Sequence, residues 1–177
     1  MAILCVSPAR AQSNFFYGGG QRTWSNASSW WSSYLATVQT QASQAPGSND
    51  TAIFNTSGSN AAGTLVFTDN ASIAGLRLLS TATGALTLRG DGNADRTLTL
   101  GEDGIRTLAG NAPSFTIGST TANQGLNIVL GANQEWRRRT GSLVVVNNVI
   151  GSATTGTAQT LVASTPLSTG SFGGIIT

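Results

Sequence analysis

The sequence predicts an all-β domain, a right-handed parallel β-helix of about five rungs with an N-terminal cap, and three observations lead there. Charged residues make up only 9% of the chain, against roughly 25% in average soluble proteins. Lysine is absent, and Gly, Ser, Thr, Asn and Ala dominate the polar stretches, so the Glu, Lys and Arg of an amphipathic helix are missing. Short apolar runs, each led by a glycine, recur along the chain at near-regular intervals. At 177 residues the chain suits one domain with a sizeable core. Its 40% hydrophobic content is too high, and its charge too low, for a disordered segment.

The elements follow in chain order. Ala2 to Val6 is apolar, and Ala9-Arg10-Ala11 has the small-residue pattern that signal peptidase accepts. Residues 1–11 therefore read as a shortened signal peptide, whose removal would take Cys5, the only cysteine. Export is the expected fate. No stretch approaches the ~18 apolar residues of a membrane-spanning helix. Residues 12–50 read as an N-terminal cap and loop, with 36–50 rich in Ser, Gln, Thr and Ala and expected at the surface.

Residues 51–177 carry the repeats. Glycines 63, 84, 104, 125 and 141 each precede an apolar run, at intervals of 21, 20, 21 and 16 residues. Between them lie Ser72–Leu78, Thr97–Gly101, Ser114–Gly118 and Asn148–Gly151. Leu86, Leu88, Leu98, Leu100, Phe115 and Ile117 alternate with Thr, the period of a half-buried strand. Stacked coils would place Leu65, Leu86 and Leu108 inward and pair each coil with the next at about 4.8 Å. One coil cannot bury its own apolar face, so stacking supplies the stability. A β-sandwich is the alternative, since short alternating strands also build sandwiches.

Four stretches then resemble a known family. These are Leu98-Thr-Leu-Gly-Glu-Asp-Gly-Ile105, Phe115-Thr-Ile117, Ile128-Val-Leu-Gly-Ala-Asn-Gln-Glu-Trp136 and Leu143-Val-Val-Val-Asn-Asn-Val-Ile-Gly151. Upstream, Trp24 and Trp30 stand six apart, and Asp50, Ala52 and Phe54 follow. In this order they resemble the autotransporter-associated β-strand repeat family over about residues 20–151. The resemblance implies a β-helical passenger of an exported bacterial protein, displayed at the cell surface or outer membrane or released. Family members continue into further repeats, whereas this chain ends at Ser171–Thr177 in what reads as a strand, as expected of a fragment.

Chemistry is mostly excluded by what is missing. Without His or Lys, and with Cys5 in the leader, the usual general bases, imine-forming amines and thiol nucleophiles have no source. Zinc sites of Cys or His are excluded likewise. Carboxylate chemistry is left, with Asp91, Asp95, Glu102 and Asp103 as candidates. Glycoside hydrolysis needs two carboxylates roughly 5–9.5 Å apart across a cleft, and nothing in the spacing sets a pair on one strand face. No catalytic residue, cofactor or metal is expected, and an enzyme is the third reading.

Asp91, Asn93, Asp95 and Glu102 have the acidic spacing of a calcium loop, but its sixth-position glycine is Arg96 here. A polar turn is the simpler reading. Arg89-Gly90-Asp91 spells a cell-attachment tripeptide and is assigned no function.

Trp24, Trp30, Trp31 and Tyr34 read first as packing for the cap and second as a sugar-stacking platform. Trp136, after an apolar strand, reads as core. Arg137-Arg138-Arg139 reads as a solvated turn, with contact to an acidic polysaccharide as the alternative. A formal charge of +2 is too small to imply a nucleic-acid partner. The expected function is a non-enzymatic passenger or scaffold domain. A glycan-binding, adhesin-like module is second.

Overall fold

The computed structural model describes residues 12–18, 22–35, 38–54, 63–79, 84–108, 114–139, 143–147, 149–151 and 159–164. The signal-peptide reading of residues 1–11 and the final run 171–177 lie outside the described residues. The chain is all-β. Among the described residues the helical content is one 3-10 turn, Ala27–Ser29, in which the Ser28 amide donates to the Asn26 side chain.

Fifteen strands follow in order among the described residues. They are β1 (Asn14–Tyr17), β2 (Arg22–Thr23), β3 (Trp30–Leu35), β4 (Val38–Gln41), β5 (Thr51–Phe54), β6 (Gly63–Phe67), β7 (Ala71–Leu78) and β8 (Leu86–Gly90). Then come β9 (Arg96–Thr107), β10 (Phe115–Ile117), β11 (Leu126–Leu130), β12 (Gln134–Arg138), β13 (Leu143–Val145), β14 (Val149–Ile150) and β15 (Leu161–Ser164). They form two sheets. The five-stranded sheet runs β13-β10-β8-β6-β2, and each of its pairings is parallel. The ten-stranded sheet runs β14-β11-β9-β7-β5-β1-β3-β4, with β12 on β9 and β15 on β12. Among the described residues, antiparallel pairing occurs there only where β3 meets β1 and β4.

Register explains why these residues form strands. In the smaller sheet Leu65, Leu88, Ile117 and Val145 occupy one aligned row, and all four are buried. Thr64, Thr87 and Thr116, one residue earlier, form the half-exposed row beside them. Side chains alternate faces at every residue of a strand, so an aliphatic residue at alternate positions fills one face only. Full burial of a Leu or Ile contributes roughly 1.5–3 kcal/mol, and parallel register sets each such residue directly over the last.

In the larger sheet β7 and β9 each serve two rows of partners. Ala71–Ile73 pair with Leu98–Leu100, and Leu98–Leu100 with Ile128–Leu130. Beyond a register shift after Ile73, Gly75–Leu78 pair with Gly104–Thr107, of which Ile105–Thr107 in turn meet Trp136–Arg138. Gly104 is the joint. Its φ is +59°, and a Cβ there would lie 2.3 Å from the Glu135 carbonyl oxygen, so only glycine fits without displacement.

Three expectations are corrected. Aligned rows do not follow the glycine interval: Gly63, Leu86, Phe115 and Leu143 pair in steps of 23, 29 and 28 residues. The glycine-led runs divide between sheets, β6, β8 and β13 in the smaller, and Ile105–Thr107 and β11 in the larger. Glycine marks the entry to a strand, whichever sheet that strand joins. Leu108 is 39% exposed instead of inward. Ile105 and Thr107 are buried in this stretch, and alternation then turns Leu108 out. Residues 36–50 hold β4 rather than loop throughout.

Candidate functional site

The acidic cluster separates into independent contacts. Arg96 reaches back over the turn, its Nη2 donating to Asp91 Oδ1 and Oδ2 at 3.0 and 3.1 Å. Asn93 donates to the same carboxylate from its backbone and side chain, at 3.2 and 2.7 Å. Desolvation pushes the Asp91 pKa upward, but the hydrogen bonds from Asn93 and Arg96, with the Arg96 charge, outweigh it and hold the group at about 2. Asp95 Oδ1 accepts from the Gly125 amide at 2.8 Å, tying this turn to the start of β11. Thus the residue in the glycine position of the calcium-loop spacing supplies its own cation. Among the described residues no three His, Cys, Asp or Glu side chains gather as a metal site would require.

Asp103 belongs to a different neighbourhood. Its Oδ2 accepts from Thr51 Oγ1 at 2.8 Å and from Gln12 Nε2, and lies 3.9 Å from Arg77 Nη2. Glu102, the preceding residue, is exposed. It borders a cleft of about 340 Å³ lined by Gln12, Ser48, Asn49, Ala74, Gly101, Glu102 and Ala132. Small side chains open this space where β7 and β9 change rows. Among the described residues Glu102 is the sole carboxylate of that lining, whereas acid–base glycoside hydrolysis uses a facing pair.

The aromatic residues are mostly interior. Trp24 stacks on Phe67, centroids 4.6 Å apart at 23°, and meets Trp30 edge-on at 5.0 Å. Tyr17 and Phe54 complete the group, each within about 6 Å of the Trp30 ring. Trp30 is wholly buried, and its Nε1 donates to the Trp24 carbonyl at 2.9 Å. Desolvation raises the Tyr17 pKa to about 12, with the Arg22 charge opposing it. Trp31 is half-buried at the edge of this group, and the Tyr34 side chain lies outside the described residues. Trp136 is buried too, its Nε1 on Gln134 Oε1 at 2.8 Å. Gln134 is buried and passes the chain on to the Leu100 carbonyl at 3.0 Å. Stacking on a sugar is therefore closed to Trp24, Trp30 and Trp136.

The basic run is the candidate that gains most. Arg137 and Arg138 lie in β12, with Arg139 just beyond, and Arg137 and Arg139 are exposed. Strand register sets Arg137 beside Arg106, and Arg106 beside Arg77. Composition gave no sign of this row, because its members are 29 and 31 residues apart. A sequence signal does exist in the tripeptides Gly75-Leu-Arg77 and Gly104-Ile-Arg106. No helix among the described residues is long and apolar enough to cross a membrane. Compared with known proteins, the chain matches no family model, no curated protein and no solved structure.

Proposed function

We propose that residues 51–177 wind as a right-handed parallel β-helix, and that the chain is a non-enzymatic passenger or scaffold domain of an exported protein. The winding is supported by the strand sequence β8, then two segments of β9, then β10, β11 and β12, each meeting its counterpart one circuit later in parallel register. A right-handed path is favoured because right-twisted strands pack a crossover back that way. On this reading residues 12–50 close the first circuit, with Trp24 and Trp30 covering its apolar end and β3 and β4 flanking it.

The observation that carries the functional reading is the row Leu65, Leu88, Ile117, Val145, an aliphatic column continued from circuit to circuit. Such a rod holds shape by nearest-neighbour stacking and requires no ligand or reaction centre. The acidic residues serve it as turn clamps, Asp95 on Gly125 and Asp103 on Thr51. The resemblance to autotransporter-associated repeats makes display outside the cell the natural setting, and the signal-like residues 1–11 agree with it.

Protease treatment of intact source cells, followed by antibody detection of residues 63–164, tests the reading. Removal of the antigen from unbroken cells, or its recovery from the medium, is expected. Protection until the cells are lysed would overturn the surface passenger.

A further inference from the structure

We infer that the outward face of the ladder formed by β7, β9 and β12 is a binding strip for a linear acidic polysaccharide of the uronic-acid type. The strip is built by register. Arg77, Arg106 and Arg137 are aligned partners on three adjoining parallel strands, about 4.8 Å from one to the next. Their neighbours Leu76, Leu78, Ile105, Thr107 and Trp136 are buried, so the arginines stand on the opposite, outer face. Like charges directly opposite one another on a sheet are destabilising. Three of the chain's nine arginines sharing one row is a cost that core packing does not explain.

The local balance of charge leaves the row in need of an anion. Arg77 has Asp103 at 3.9 Å, a long and single ion pair. Glu135 lies on the same face, its carboxylate accepting from Ser164 Oγ at 2.5 Å, so the three arginines share a face with Asp103 and Glu135 and the row keeps a net positive charge. Neither Arg106 nor Arg137 has a carboxylate within ion-pair distance among the described residues. The Nε–H groups of Arg77 and Arg106 are shielded from water, so a ligand meets these guanidinium groups through their terminal Nη donors. A guanidinium with open donors takes a carboxylate in the two-pronged geometry that a lysine does not reproduce.

The border of the strip chooses the polymer. Past the arginines the rows continue through the amides of Leu79, Leu108 and Arg139, bonded to Phe54, Leu78 and Thr107. Exposed Leu108 and half-buried Leu79 therefore lie alongside the charged row, with Arg139 beyond. An extended uronic-acid chain presents a carboxylate per ring and apolar ring faces between them, which suits both kinds of residue. Single-stranded nucleic acid is held by aromatic platforms under its bases, and the aromatic residue in these rows, Trp136, is buried on the inner face. The strip requires only the strand registers and stands whether or not the chain is a surface passenger.

Affinity electrophoresis of the full chain through gels containing polygalacturonate tests it, with neutral dextran and single-stranded DNA gels alongside. Retardation by polygalacturonate, and not by dextran or DNA, is expected. R106Q and R137Q should each weaken it by roughly fivefold, as loss of one exposed ion pair does. R106K, which keeps the charge but not the fork, should also weaken it, and R89Q, on the smaller sheet, should not. Thermal melts of R106Q and R106K at or above the wild-type midpoint establish that folding is intact. No retardation of the wild type, equal retardation by DNA, or full retardation of a folded R106Q/R137Q double variant would each overturn the strip.

Discussion

Arg96 grips Asp91 across five residues of chain, with its Nη2 on both carboxylate oxygens and its Nε 3.3 Å from the first. That grip converts an apparent cation loop into a closed turn at the head of β9. It also gives the turn a pH signature. A carboxyl held at about 2, below its ordinary 3.8, contributes stability present in full above the unfolded pKa and lost as pH falls through the folded one. Asp91→Asn should therefore lower the urea midpoint near pH 5, and the gap between variant and wild type should close as pH approaches 2. A gap of the same size at both pH values would refute the assignment.

Tyr17 gives the opposite limb. Burial raises its phenol from 10.0 to about 12, so the native state keeps a proton that the unfolded chain releases. Stability is then complete below pH 10 and falls as pH rises toward 12, by about 3 kcal/mol if the whole shift is realised. Ultraviolet titration of phenolate alongside fluorescence-monitored unfolding should show the Tyr17 signal appearing with the unfolding step. Tyr17→Phe should move that step to higher pH.

Gly104 is the most demanding backbone position. Gly104→Ala combines a left-handed φ with a Cβ pressed on the Glu135 carbonyl. A loss of at least about 2 kcal/mol in chemical denaturation is expected. Gly151→Ala, where an added Cβ meets nothing within 4 Å, should change stability by under about 0.5 kcal/mol.

Two leucines separate inside from outside. Leu88 lies between Leu65 and Ile117 in the smaller sheet, fully buried, and Leu88→Ala should cost about 2–5 kcal/mol. Leu108 is exposed, and Leu108→Ser should stay within about 0.5 kcal/mol. Equal losses in the two variants would contradict the burial pattern.

The contrast between those leucines marks what a linear reading can reach. Leu86, Leu88, Leu98, Leu100, Phe115 and Ile117 were identifiable as one-faced strand residues, and all are buried. Leu108 was misassigned because the run from Gly104 was phased on its last leucine, whereas Ile105 sets the phase. The near-twenty interval was misleading in a similar way, since it counts entries into strands of two different sheets. Among the site candidates, Asp91, Asp95, Glu102 and Asp103 are adjacent in sequence yet serve separate contacts. Arg77 and Arg106 escaped notice because each stands alone in the chain.

Composition and alternation by themselves determined that this protein is all-β, that the apolar residues of its alternating strands, Leu86, Leu88, Leu98, Leu100, Phe115 and Ile117, fill one face, and that the residues from 12 to 177 supply no Cys, His or Lys side chain. These are properties of single residues and their immediate neighbours. Tertiary structure alone decided which runs lie side by side, that Leu108 turns outward, and that three distant arginines share a row. Partnership between strands depends on the length and path of the turns joining them, and a charge acquires neighbours only when that path brings the strands together.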